Sequence, residues 1–213
     1  RFSMQSLRSL FPFGSQMALM SVVNSIFSNI YVLFIGKFFL ATDVGYYQRA
    51  ESFKRLAAEN LNSIVARVMF PLFATIQDET ERLRGVFLRS FGLLCLIFFP
   101  LMAILAALSE PMIVTLIGAK WLPSAVYLQL LCIVGALYPL HSLNVSVLKA
   151  LGHAGKLLKL ALLKRGLTLG MLFLTYPFGI VVMIIGQIIV GLIALWINAY
   201  YTRIYLRLTY FDQ

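Results

Sequence analysis

Long apolar runs alternate with short polar breaks along this chain. Six of the runs reach the length of about 20 mainly apolar residues that a helix needs to cross a bilayer. They cover about 10–38, 46–76, 86–108, 122–150, 157–176 and 180–201. None shows the period-two alternation of a membrane strand, and all are longer than such a strand needs, so helices are predicted throughout. Ala41-Thr42-Asp43 separates the first two runs. Residues 77–82 predict a capped, amphipathic start to the third, and Ser109-Glu110-Pro111 follows it, with proline where a helix starts or stops. The stretch 112–121 is too short to span and reads as an interfacial half-turn anchored by Trp121. Gly152-His153-Ala154-Gly155 and Tyr176-Pro177-Phe178-Gly179 are tight turns. No break is long enough for a soluble domain, so the expected fold is an all-α transmembrane bundle of six helices.

Composition agrees with that pattern. Of 213 residues, 61% are hydrophobic and only 12% charged, with a mean hydropathy of +0.88. A soluble domain of this size cannot hide so much apolar surface. Disordered, collagenous, coiled-coil and disulfide-rich classes are excluded by the same numbers. Cys95 and Cys132 lie inside apolar stretches, which predicts packing roles rather than a disulfide or a metal site. The chain opens on Arg1, shows no signal peptide and stops at Gln213 without a helix-ending signal, so a fragment of a longer protein is expected.

The net charge of +10 needs a location before it needs a partner. With six spans, one membrane face collects Arg1, Arg8, Arg82, Arg84, Arg89, Lys149, Lys156, Lys159, Lys164, Arg165, Arg203 and Arg207, and the other only Lys37 and Lys120. That asymmetry follows the positive-inside rule, places both ends in the cytoplasm and calls for no nucleic acid. The remaining cations, Arg49, Lys54, Arg55 and Arg67, belong to the second run.

That second run is the polar one. At 100° per residue, Gln48, Glu51, Ser52, Arg55, Glu59, Asn62 and Ala66 share a face. Arg55 stands four residues from both Glu51 and Glu59, so two carboxylates can share it. Arg67 lies about ten residues from the cytoplasmic end, near the midplane. A charge at that depth costs about 3 kcal/mol or more against lipid, so these groups must face helices or a watery cavity. Residues 48–54 have the plainer alternative of projecting past the outer surface, Arg55 and Glu59 that of a structural pair, and Arg67 that of snorkelling or bonding backbone carbonyls. In the first run Ser21, Asn24, Ser25 and Ser28 form a milder stripe, suited to gluing helices or lining the same lumen. His141, Ser142, Asn144 and Ser146 interrupt the fourth run, and Gln187 the sixth. His141 is either a titrating group or a hydrogen-bonded packing residue. The 17 Phe and 10 Tyr read as lipid-facing and interfacial bulk. The cavity candidates are Arg55, Glu59, Asn62, Arg67, Asn24 and Ser28.

No nucleophile elbow, phosphate-binding glycine loop, zinc-spaced His/Cys set or dinucleotide fingerprint is present. No catalytic residue, metal site or cofactor is therefore predicted, and an enzyme is disfavoured. A cavity lined by net positive charge suits an anionic cargo, because cationic side chains hold a pyrophosphate without bonding it covalently.

Several short segments resemble one family. Val44-Gly45-Tyr46-Tyr47-Gln48-Arg49-Ala50 after a first long span is similar to the Gly-Tyr-Tyr junction of bacterial polysaccharide flippases. Pro71-Leu72-Phe73-Ala74 before an acidic turn, Ile117-Gly118-Ala119-Lys120-Trp121-Leu122-Pro123, and Ala150-Leu151-Gly152-His153-Ala154-Gly155-Lys156 resemble further segments of the same proteins. Their order matches the lipopolysaccharide O-antigen and colanic-acid exporter branch of the multidrug/oligosaccharidyl-lipid/polysaccharide exporter superfamily. The resemblance implies two six-helix lobes around a central cavity, with this chain as the second lobe and the first lobe missing. It implies an inner-membrane protein whose partners are membrane lipids, an undecaprenyl-diphosphate-linked oligosaccharide as cargo, and other glycan assembly proteins. Two alternatives remain beside it. A cation-coupled multidrug exporter shares the architecture but conflicts with the positive stripe. A glycan polymerase or ligase is expected to carry a long, charged outer loop. On either transporter reading, Arg55→Cys, Glu59→Cys and Arg67→Cys in the full-length protein should react with a water-soluble maleimide from an aqueous chamber. Failure of all three to react would remove the chamber.

Overall fold

A computed structural model describes residues 29–152 and 154–206, together with Ser15, Ala18, Ser21, Val22 and Phe27, which have helical backbone. Among the described residues the chain is all helical, with no strand. We number the helices α1 (Ile30–Phe38), α2 (Ala41–Thr75), α3 (Thr80–Ala107), α4 (Ser109–Ile117), α5 (Pro123–Ala150), α6 (Ala154–Thr175) and α7 (Ile180–Leu206). Single 3-10 turns lie at Ala119–Trp121 and Tyr176–Phe178. The sequence pattern predicts six helices, and seven are delimited among the described residues from Ile30 onward. The extra one is α4, where a half-turn was expected. Its end is set by Gly118, whose φ of 96° suits glycine and breaks the helix. Gly152 (φ 76°) and Gly179 (φ 95°) make the two predicted tight turns in the same way. The predicted cap at the start of α3 is different in form. Glu79 makes no side-chain cap bond; its carboxylate pairs instead with Arg82 at 3.2 Å.

α3, α5 and α7 are long and apolar enough to cross a membrane, whereas α2 is too polar and α6 too charged to qualify on composition. α5 is the hub and packs against α2, α3, α4, α6 and α7. Small side chains make that possible, as expected where helices associate in lipid by close packing. At Gly135 an added Cβ would stand 2.9 Å from Met102 Sδ of α3 and 3.2 Å from Lys54 Cγ of α2, so three helices converge on one missing side chain. At Gly186 of α7 it would stand 2.9 Å from Met171 Cγ and 3.1 Å from Thr175 Cγ2 of α6. Outward-facing Leu93, Leu96, Ile97 and Ile104 of α3, and Leu192 and Trp196 of α7, form the apolar exterior that lipid requires.

α1 is held by rings: Phe34 meets Phe173 edge-on at 5.1 Å and Phe38 lies 4.7 Å from Tyr176, both at the α6 end. The α4–α5 junction is tied to α2 through Trp121. Its indole lies over Gly45, where a Cβ would come within 3.4 Å, meets Tyr46 edge-on at 5.9 Å and lies 5.2 Å from the Arg49 guanidinium. Overpacking the convergence point should be costly. Gly135→Leu is expected to destabilise the full-length protein by about 1–3 kcal/mol, read as a lower Tm in detergent. An unchanged Tm would show that α2 and α3 do not meet there.

Candidate functional site

The polar face of α2 forms as its spacing predicts. Arg55 is shared by two carboxylates, with Nη2 3.9 Å from Glu51 Oε1 and Nε 3.8 Å from Glu59 Oε2. Half of the Arg55 side chain remains exposed, so this pairing leaves it available to a ligand. The tighter bond on α2 is another one: Lys54 Nζ donates to Glu51 Oε1 at 2.6 Å. Lys54 does not project into the surroundings of the bundle. It is buried in the α2–α5 seam, its Cγ against Gly135. A lysine there is affordable only with a carboxylate beside it, and Glu51 is that group. Its Oε2 is buried without a hydrogen bond.

The other candidates are dispersed. Asn62 is buried in the bundle, with its Oδ1 unpartnered among the described residues. Arg67 is exposed and lies twelve residues beyond Arg55, which is about 18 Å along the axis and about 120° around it. The structure therefore does not bring Arg67 to Arg55 and Glu59. Asn24, Ser25 and Ser28 lie outside the described residues. Gln187 of α7 accepts a hydrogen bond from the Tyr47 hydroxyl at 3.4 Å, tying α7 to α2.

A second polar group joins α5, α6 and α7. Lys164 Nζ donates to Asn198 Oδ1 at 2.5 Å, and Asn198 Nδ2 lies 3.1 Å from His141 Nδ1. Asn198 is fully buried. Lys164 is ten residues into the 22-residue α6, about 15 Å from its start and near half-depth. The charge pattern assigns Lys164 and Arg165 to the cytoplasmic face; in the structure both stand in the middle of α6, ten and eleven residues from its start at Ala154. Arg165 lies 5.3 Å from the Phe27 ring, and Tyr138 is within electrostatic range of Arg165, Arg55 and Glu59.

The sequence already held a signal for this group. No Asp or Glu occurs between Glu110 and Asp212, so α5, α6 and α7 carry no carboxylate. Arg55 on α2 has two acids beside it, Glu51 and Glu59, whereas Lys164 and Arg165 on α6 have none on their own helix or on α5 and α7. The buried pair on α2 serves structure. Lys54→Met alone should destabilise the full-length protein by about 1–3 kcal/mol by leaving Glu51 short of its partner, and adding Glu51→Gln should recover most of the loss in Tm. Equal stability of Lys54→Met and wild type would contradict the pairing.

Comparison with known proteins now adds identity to geometry. Residues 1–126 match the family model described as "Polysaccharide biosynthesis protein". The chain is 35% identical over 153 residues to the teichuronic acid biosynthesis protein TuaB of Bacillus subtilis, covering 72% of this chain and 32% of TuaB. It is 34% identical over 136 residues to the lipopolysaccharide biosynthesis protein WzxC of Escherichia coli, covering 64% of this chain and 28% of WzxC. It is 27% identical over 169 residues to the succinoglycan biosynthesis transport protein ExoT of Rhizobium meliloti, covering 79% and 34%. The chain thus spans about a third of the length of these relatives. No solved structure matches it. With its multi-pass helical architecture and a family match over more than half its length, the chain belongs to the polysaccharide biosynthesis protein family.

Proposed function

We propose that this chain is one lobe, the second, of a transporter that flips undecaprenyl-diphosphate-linked oligosaccharide units across the bacterial inner membrane for lipopolysaccharide or exopolysaccharide synthesis. It acts on its cargo by binding and reorienting it, without catalysing a covalent step. The observation that carries this reading is that Lys164 and Arg165 stand in the middle of α6 with no carboxylate on α5, α6 or α7, Lys164 being held by the neutral amide of Asn198. Holding cations inside a span is costly unless a compensating charge visits, and a lipid diphosphate is such a charge. Relatives named for teichuronic acid, lipopolysaccharide and succinoglycan biosynthesis support a glycan cargo.

On this reading Arg55 and Arg165 hold the diphosphate from two helices, and Glu59 sets the position of Arg55. Arg67, further along α2, meets the anion on its way from the cytoplasmic side. Asn62, Asn24 and Ser28 supply hydrogen bonds to sugar hydroxyls. Both ends of the chain are cytoplasmic, and two lobes rock about the site to give alternating access. The first lobe and other glycan assembly proteins are the partners.

In cells carrying the full-length protein, Arg55→Ala and Arg165→Ala should each lower glycan export about tenfold or more at matched membrane levels, the equivalent of about 1.4 kcal/mol of lost binding. Arg67→Ala should also lower it, by less. Wild-type export with Arg165→Ala would remove the α6 side of the site.

A further inference from the structure

The chain from Lys164 through Asn198 to His141 is polarised. A charged lysine can only donate, so the amide oxygen of Asn198 must face it, at 2.5 Å. The amide nitrogen then faces His141 Nδ1, at 3.1 Å. Because that nitrogen is itself a donor, Nδ1 must accept and carries no proton. The observed arrangement is therefore a neutral His141 with its proton on Nε2, favoured by the Asn198 amide that Lys164 orients and by the ring's hydrogen bond to the Gly191 backbone.

Adding a proton at Nδ1 reverses this logic. Two N–H groups would then confront each other, and the Asn198 amide must turn to offer its oxygen to the imidazolium. That turn presents its nitrogen to the Lys164 ammonium, and the bond between α6 and α7 is lost. No nearby acid absorbs the extra charge. α5 and α7 carry no carboxylate, and their cations, Lys149 and Arg203, lie nearer the helix ends. α6 contributes Lys164 and Arg165, with Lys156 and Lys159 nearer its start. α3 turns Phe87 and Leu94 inward and leaves Arg89 exposed. From α2, Glu59 and Arg55 face Tyr138, one turn before His141.

We infer that His141 is a proton-binding site whose occupancy decides whether Lys164 is tied to Asn198 of α7 or released to join Arg165 in binding an anion. This rests on the anion-binding reading above for its second half only. A proton and an anion at this junction would then favour each other, since each stabilises the released lysine.

The test uses the full-length protein in lipid nanodiscs with 15N-labelled histidine, the His141 signals being identified by their loss in His141→Gln. At about pH 7, where the lysine is charged and an ordinary imidazole mostly neutral, a single tautomer with bare Nδ1 is expected. In Lys164→Met the Asn198 amide is free to turn, so a form with the proton on Nδ1 should appear beside the one that the Gly191 backbone favours. Asn198→Leu, which removes the bridge itself, should lose the single tautomer likewise. At about pH 6, inorganic sulfate should raise the protonated fraction of His141 in wild type and leave it unchanged in Lys164→Met. A proton on Nδ1 at the higher pH, or a tautomer indifferent to both variants, overturns the latch. A wild-type response identical with and without sulfate overturns the release of Lys164 to an anion. Export defects in Arg165→Ala test the transport reading separately, since the tautomer measurement involves no cargo.

Discussion

An ionised side chain at bilayer depth must have a partner, and that constraint organises this bundle. α2 meets it with acids of its own: Glu51 takes Lys54, and Arg55 spans Glu51 and Glu59. α6 has no acid to offer, nor do the helices on either side of it, so Lys164 turns to a neutral amide on α7. The two solutions have different consequences. An internal ion pair is complete in itself and fixes structure, as Lys54 does under Gly135. A lysine held by an amide keeps its charge uncompensated and remains able to respond to an anion. The division of labour between a structural lysine and a responsive one thus follows from where the carboxylates lie.

The same bundle explains why segments far apart in sequence belong together. The Gly45-Tyr46 junction at the start of α2 and the Trp121 turn before α5 are one structural unit, because the indole needs a side-chain-free surface at Gly45 and a ring edge from Tyr46. That contact seats the head of α2 against the head of α5. The seam continues through Ala50, Lys54 and Ala58 along Gly135, so the register of the polar α2 face against Tyr138 is set from this end.

Much of this was legible in the sequence. The apolar runs place the long helices, the glycines at 152 and 179 mark the turns, and the i,i+4 spacing around Arg55 gives the pairing that forms. Three features were not legible, for physical reasons. A nine-residue α4 is too short for apolar periodicity to separate it from an interfacial turn. Lys54 sits next in sequence to the exposed Arg55, and only the direction of the α5 contact makes one buried and the other half-exposed. Lys164 and Arg165 follow two lysines in a basic run, and only the packing of α6 against α7 shows that Lys164 is tied to the buried Asn198 and, through it, to His141.

The central proposal is that the mid-helix cations of α6 select a lipid-borne anion. The direct measurement is transbilayer movement in vesicles reconstituted with the full-length protein, comparing an oligosaccharide on undecaprenyl diphosphate with the same oligosaccharide on the uncharged polyprenol. The account predicts that the protein accelerates crossing of the diphosphate-linked glycan and leaves the neutral one at the rate of protein-free vesicles. Equal acceleration of both, or of neither, would contradict it.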